Sequence, residues 1–509
     1  MPQVLCDSDR FSFSCESFLH LTGRLRAEET ITMRHSGVEN ILHTDGREVL
    51  RRLFEDHCKI RDIGDVGPKI AGADGVIRSH KRVQKRRLVT LYGVVTIERL
   101  GYGARGYTSL FPKDALLNLP NDSYSHGIRK LVAYEASKSP FNEVVSMIKQ
   151  ITGETIPKHT AELLARKAAI DFDSFYAHQK RQDQSRPPLL VLTTDGKGVV
   201  MRKADLREAT RKAAELKQHK LRKRQSKGEK GLAKRMATVA AVYDISEFPR
   251  TPEEIVKEMR ADESCCIRPR PVDKRVWASI EKESGTVTED LFAEAIRRDP
   301  GKERRWVCLV DGDQRQLRRV KNAANAASVN LTIIMDIIHV TEYLWKAAWC
   351  FYNEGDHRAE QWVSERLLRV LQGKASLVAA GIRRSATRQN KTLKRGPVDK
   401  CAGYLLKNKN YLQYHRYLQD GLPIATGVIE GACRHLIKDR MDVTGARWSL
   451  QGAEAVLKLR SLRSSGDFED YWKFHEEQEY ERNHQRLYAN IEVLDKLGGM
   501  NKVGKGSPL

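Results

Sequence analysis

Two apolar runs that each close on an aspartate constrain this chain more than any other feature. They are "PLLVLTTDGKGVV" (188–200), which carries Asp195, and "RWVCLVDGDQRQL" (305–317), which carries Asp311. Short continuous apolar runs of this kind read as buried strands. A carboxylate placed by such a strand is held with little reorganisation, as a pre-organised site requires. The second run is followed by the helix-prone "QLRRVKNAANAAS" and then by "LTIIMD" (331–336). That β-α-β order favours a right-handed parallel crossover. A further run, "MATVAAVYDI" (236–245), would pair with the first as a neighbouring strand, so the expected class is α/β.

A third acid lies far downstream. Glu430 opens a helix-prone stretch in "GLPIATGVIEGACRHLIKDRMDVTGARWS" (421–449), with Arg434 and Lys438 at i+4 and i+8 on the same face. A surface ion-pair ladder would have the same spacing. Asp195 stands before a glycine, which is also a hairpin signal, and Asp313 repeats the face of Asp311 two residues on. Carboxylates gathered from distant segments suit a pair of Mg²⁺ ions, which prefer oxygen ligands and keep their other positions for water and phosphate; Mn²⁺ is expected to substitute. Asp195, Asp311 and Glu430 are therefore the expected catalytic residues and metal ligands.

Charge points to the partner. Lys and Arg number 89 against 66 Asp and Glu, a formal net charge of +23, which favours a polyanion through counterion release. DNA is the expected partner. An acidic membrane is the bland competitor, but no basic amphipathic anchor accompanies the charge. The nine cysteines form no CxxC pair, so a disulfide framework or zinc ribbon is not expected, and a reduced intracellular compartment is. The amino terminus does not read as a secretory signal. The most apolar stretch, "LTIIMDIIHV" (331–340), is too short to span a bilayer and is broken by Asp336 and His339.

Residues 1–46 are polar and without periodicity, and read as a mobile leader. A mostly helical DNA-binding region is expected over 47–180, with a β-hairpin at 86–103. Within it, "SPFNEVVSMIKQITGETIPKHTAELLARKAA" (139–169) has helix-turn-helix order, and Lys158 and His159 on the second helix are placed to read DNA; an ordinary helical hairpin fits equally. The first part of the catalytic core is expected over 185–340. It is interrupted by a basic arm, 202–235, whose Lys220, Arg222, Lys223 and Arg224 either grip DNA or form a solvated loop. A helical insertion follows over 341–420, then the last core helices over 421–475 and a tail over 476–509.

The strings "TTDGKG", "LVDGDQ", "MDIIHVTEYLWKAA" and "GVIEGACRHLIKDRMDVTGARWSLQGAEAVLKLRSLRSSGDFEDYW" together resemble a bacterial DDE transposase of the ISKra family of insertion sequences, relatives of the Mutator-like group, over about residues 47–475. The resemblance implies an RNase H-like catalytic domain interrupted by an all-helical insertion. It also implies metal-dependent cleavage and strand transfer at the terminal inverted repeats of the chain's own element, into target DNA. Asp195, Asp311 and Glu430 would be its three acids. Asp336 and His339 match its D-x-x-H signature and would support the site or touch DNA, although a hydrogen-bonded core histidine fits His339 as well. Thr444, Gly445, Arg447 and Trp448 match its tail motif, and Arg447 and Trp448 are placed with Arg434 and Lys438 as DNA contacts. Bringing two ends together implies at least a dimer on DNA, in a bacterial cytoplasm at the nucleoid. A domesticated, non-catalytic DNA-binding protein and a structure-specific nuclease are the competing readings.

Overall fold

The computed structural model describes residues 11–179, 186–216, 231–259, 268–389, 395–443 and 445–489. The expected DNA contacts Lys220, Arg222, Lys223 and Arg224, and Thr444 of the tail motif, lie outside the described residues. The chain divides into two compact units: Met1–His178 with Asp467–Leu509, and Gln179–Gly466.

In the first unit, residues 11–46 of the stretch expected as a leader are largely helical. Helices Ser12–Arg26 and His35–Ile60 pack on each other, and the Ser14 backbone N–H donates to the buried Asp56 carboxylate at 2.9 Å. The pair buries only a narrow stripe that includes Leu21 and Ile41, so little apolar periodicity betrays it. The expected hairpin forms but is longer. Strands His80–Thr90 and Gly93–Ala104 pair antiparallel through to Thr90 opposite Gly93, and Tyr107–Leu110 adds a third strand. The basic run at 78–87 supplies much of the first strand because the strand is open on both faces there, with no buried residue from His80 to Arg87.

Residues 139–169 form helices Phe141–Thr152 and Lys158–Lys167. The last described helix, Phe468–Asn483, belongs to this unit, so the boundary expected after residue 475 falls at Gly466 instead. The reason is a set of polar contacts across some 300 residues that no local pattern encodes. His475 Nδ1 lies 2.7 Å from Asp171, Arg482 donates to both Asp171 oxygens at 2.6 and 2.9 Å, and Arg129 pairs with Glu479.

The second unit is built on five strands: β1 (Leu189–Val200), β2 (Lys234–Ile245), β3 (Val272–Ser279), β4 (Arg305–Val310) and β5 (Leu331–Met335). Their spatial order is β5-β4-β1-β2-β3. β1, β2 and β3 run antiparallel, while β4 is parallel to β1 and β5 parallel to β4. The apolar runs that predicted strands are fully buried here, Leu189–Leu192 and Trp306–Val310 among them. Helix Ser284–Arg298 packs near β2, and Leu450–Ser465 packs on β3. Glu454 of the latter accepts from Ser279 Oγ and from the Ile280 and Glu281 N–H groups, capping the end of β3. Between β5 and Glu430 the chain is helical: Ile337–Ala348, His357–Leu371, Ala375–Arg388, Gly396–Lys407 and Tyr414–Gln419. Among the described residues, no helix is long and apolar enough to cross a membrane.

Candidate active site

Sheet register brings the aspartates into line. In the parallel β1–β4 pair Thr193 stands opposite Leu309, so two residues further along each chain Asp195 comes level with Asp311. In the β4–β5 pair Val310 stands opposite Met335, and the Asp336 N–H still donates to Val310 O at 2.9 Å, so Asp336 comes level with Asp311 in turn. Neighbouring strands lie about 4.8 Å apart. Three carboxylates therefore line up across three adjacent parallel strands, just past the carboxyl ends of β4 and β5 and where β1 runs on beyond its pairing with β4; open α/β sheets bind their ligands at such ends.

The three are held differently. Asp336 is buried and caps the helix that follows it. One oxygen accepts the Ile338 N–H at 2.9 Å and the other accepts the Thr426 hydroxyl. Burial pushes its pKa up, against the pull of those two bonds and of His339. Asp311 is half-buried; one oxygen accepts the Asp313 N–H at 2.8 Å, and the other has no hydrogen-bond partner among the described residues. Its loop is pinned at two points. The Asp311 N–H donates to Gln316 Oε1 at 3.2 Å while Gln316 Nε2 donates to Thr194 O at 2.7 Å, which ties the end of β4 to β1. Tyr404 donates its hydroxyl to Asp311 O at 3.0 Å, packing so closely that a Cβ on Gly312, whose φ is +93°, would stand 2.8 Å from its ring. Asp313 is a helix cap, accepting from the Arg315 and Gln316 N–H groups.

Asp195 stands inside β1, opposite Val239 of β2, and not in a hairpin turn. One of its oxygens accepts the Gly196 N–H at 2.6 Å and the other accepts the Cys433 thiol at 3.1 Å. Cys433 follows Glu430 by three residues, so this bond places the Glu430 helix, Gly427–Ala432, beside β1. The Glu430 carboxylate makes no hydrogen bond or ion pair among the described residues. Its pKa is raised, first by burial of the carboxyl and then by the charge of Asp336, with Glu342 and Asp195 adding to it and His339 opposing. Burial and the Asp195 and Glu430 charges likewise push the Cys433 thiol well up, which keeps it a donor.

Past Glu430 the helix changes pitch: Cys433–Lys438 is a π turn. The 3.6-residue spacing that put Arg434 and Lys438 on the Glu430 face does not hold through such a turn, and Arg434 instead lies 3.6 Å from Asp439. Lys438 and Arg447 are exposed. Trp448, expected at DNA, is buried at 8 % exposure. Its indole N–H donates to Met441 O at 3.1 Å, and its backbone bridges the end of β1 at Val200 and Arg202. Lys158 and His159 are exposed at the start of their helix. Cys433, Gln316, Thr426 and Tyr404 were not foreseen from the sequence; only the closeness of Cys433 to Glu430 offered any signal.

The donor set fits a hard divalent cation in its chemistry: oxygen ligands, an open Asp311 oxygen, and like-charged carboxylates whose repulsion a cation would relieve. As they stand, no three His, Cys, Asp or Glu side chains among the described residues are drawn together tightly enough to hold a metal ion. In comparisons with known proteins, the chain matches no protein-family model and no curated protein sequence. Among solved structures it is similar to the Drosophila P element transposase strand transfer complex, with 9% identity over 75% of this chain and 86% of that chain and a TM-score of 0.22. So loose a superposition carries no argument about fold or activity.

Proposed function

We propose that Gln179–Gly466 is an RNase H-like phosphoryl-transfer domain, and that the chain is a DNA transposase cutting and joining the ends of its own element. The observation that carries this reading is the register of Asp195 and Asp311 on adjacent parallel strands, with the otherwise unbonded Glu430 held beside Asp195 through Cys433. The mixed sheet, followed by helices before Glu430, supports an RNase H-like domain with a helical insertion.

In this reading Asp195, Asp311 and Glu430 hold Mg²⁺. Bound there, the metal would activate a water or 3′-hydroxyl and stabilise the leaving oxygen. The chain's own residues do the rest. Gln316 and Tyr404 fix the Asp311 loop, and Asp336 braces the segment before Glu430 through Thr426 rather than serving as a ligand, because its carboxylate is buried at 1 % exposure while those of Asp195 and Asp311 are only half-buried. Lys197, on the Asp195 face of β1, neutralises phosphate. Lys158 and His159 read the element's ends, and the strong positive charge of the chain holds DNA without regard to sequence.

The test is an assay with Mg²⁺ on DNA carrying the element's ends. Asp195→Asn, Asp311→Asn and Glu430→Gln should each lose more than about a hundredfold in cleavage and joining, because even outer partners of metal sites cost about 10–100-fold. DNA binding should stay near normal. Wild-type cleavage without joining would make the chain a nuclease, and binding without cleavage would make it a non-catalytic DNA-binding protein. An active Asp311→Asn beside a dead but folded Asp336→Asn would move the second ligand to Asp336.

A further inference from the structure

A cavity of about 340 Å³ opens at the end of β2, walled by Tyr243, Phe248 and Pro423 and by Val428 of the helix that carries Glu430. That volume falls in the range of small-ligand sites, about 300–1,000 Å³. The wall is built by a close backbone approach. The Phe248 N–H donates to Gly421 O at 2.9 Å and the Arg250 N–H to Leu418 O at 3.1 Å, while Gly421, at φ +70°, has no room for a Cβ, which would lie 2.6 Å from Phe248 N.

Two guanidinium groups line this mostly apolar space, those of Arg250 and Arg268. Arg268 is paired with Glu258. Arg250 is not paired with any acid among the described residues: it donates to Phe248 O at 3.3 Å and Leu422 O at 3.1 Å, and its guanidinium lies 5.6 Å from the Phe248 ring centre. Burial, with the Arg268 charge adding to it, draws the Arg250 pKa down to about 10. A half-buried guanidinium bonded only to carbonyls is open to an anion as a further partner. The guanidinium fork suits a phosphate, and the aromatic and proline walls suit a flat ring.

We propose that this cavity receives one unpaired nucleotide, with its base against Phe248 and Pro423 and its phosphate on Arg250. A base within a duplex stack cannot enter, so the nucleotide comes from a frayed or single-stranded DNA end, or from solution as a free nucleotide. Only the choice of DNA as its source rests on the transposase reading.

The test is metal-free binding to the full-length chain in EDTA, followed by fluorescence anisotropy. The probe is a short single strand carrying either a base or an abasic residue at its 5′-phosphorylated end. The base-bearing strand should bind about tenfold more tightly, the scale of one stacked base. Ser246→Trp, which fills the cavity from its exposed rim, should erase that preference, with melting temperature as the check on folding. Binding of a deoxynucleoside monophosphate alone, in competition with the strand, would support the cavity with a free nucleotide as its ligand. Equal affinity of the wild-type chain for both strands, with no binding of the monophosphate, overturns the proposal. Because nothing is cleaved without metal, failure of the Mg²⁺ assay would strike the phosphoryl-transfer reading and leave this result standing.

Discussion

Two buried clusters, one in each unit, treat charge in opposite ways. In the first, His475 and Arg482 both bond Asp171, and Glu479 bonds Arg129, so the acids are matched by cations and sit below the usual carboxylate range despite their burial. In the second, Asp336 and Glu430 are raised, and the strongest charge acting on Glu430 is another carboxylate. Matched buried charge fixes a structure and is costly to break. Unmatched like charge weakens the fold, and it is where functional sites concentrate. The contrast supports placing the proposed chemistry in the second unit, while the polar network of the first holds the C-terminal helix in place.

Breaking one matched pair should have the largest effect on stability. Arg129→Met strands Glu479 in the interior and should cost about 3–5 kcal/mol, read from the urea midpoint of the full chain, with most of the loss recovered in the Arg129→Met/Glu479→Leu double variant. A full-strength single variant would show that the pair contributes nothing and would dissolve the contrast.

Removing a reading contact should matter less. Lys158→Ala or His159→Ala should narrow discrimination between the element's ends and random duplex by about 1–3 kcal/mol per lost base contact, in competition binding, with folding unchanged. Equal discrimination would place reading elsewhere.

The smallest effect sharpens the comparison most. Glu430→Gln removes a crowded charge and should leave stability within about 1 kcal/mol of wild type, shifted upward if at all, while abolishing activity. The two clusters should also answer pH in opposite senses. The depressed pKa values of Asp171 and Glu479 give stability that is present above about pH 4, the unfolded carboxylate range, and is lost as pH falls through their lower folded values. The raised values of Asp336 and Glu430 give stability that is fully present below about pH 4 and is lost as pH rises through their folded values. The pH dependence of the urea midpoint in Asp171→Asn and in Asp336→Asn, each against wild type, would separate the two; parallel responses would refute the contrast.

Much of the second unit was legible in the chain. Its apolar runs are long enough, and rich enough in Val, Leu and Ile, to name β1, β2, β4 and β5 and to place Asp195, Asp311 and Asp336 at or near their ends, because a strand's burial is written in its own residues. Helical spacing likewise named Phe141–Thr152 and Lys158–Lys167. The pairing of Ser12–Arg26 with His35–Ile60 was hidden, since two helices sharing a narrow stripe leave little apolar rhythm. Other features depended on partners hundreds of residues away. Register decides that Asp195, Asp311 and Asp336 are level; the Cys433 bond to Asp195 sets Glu430 beside β1; the π turn carries Arg434 and Lys438 off the expected face; and Trp448 is drawn inside. The sequence by itself determined which residues could form strands and which acids those strands would carry. Only the tertiary structure decided which acids meet and which are already satisfied by hydrogen bonds, because those outcomes depend on long-range contacts that local periodicity does not encode.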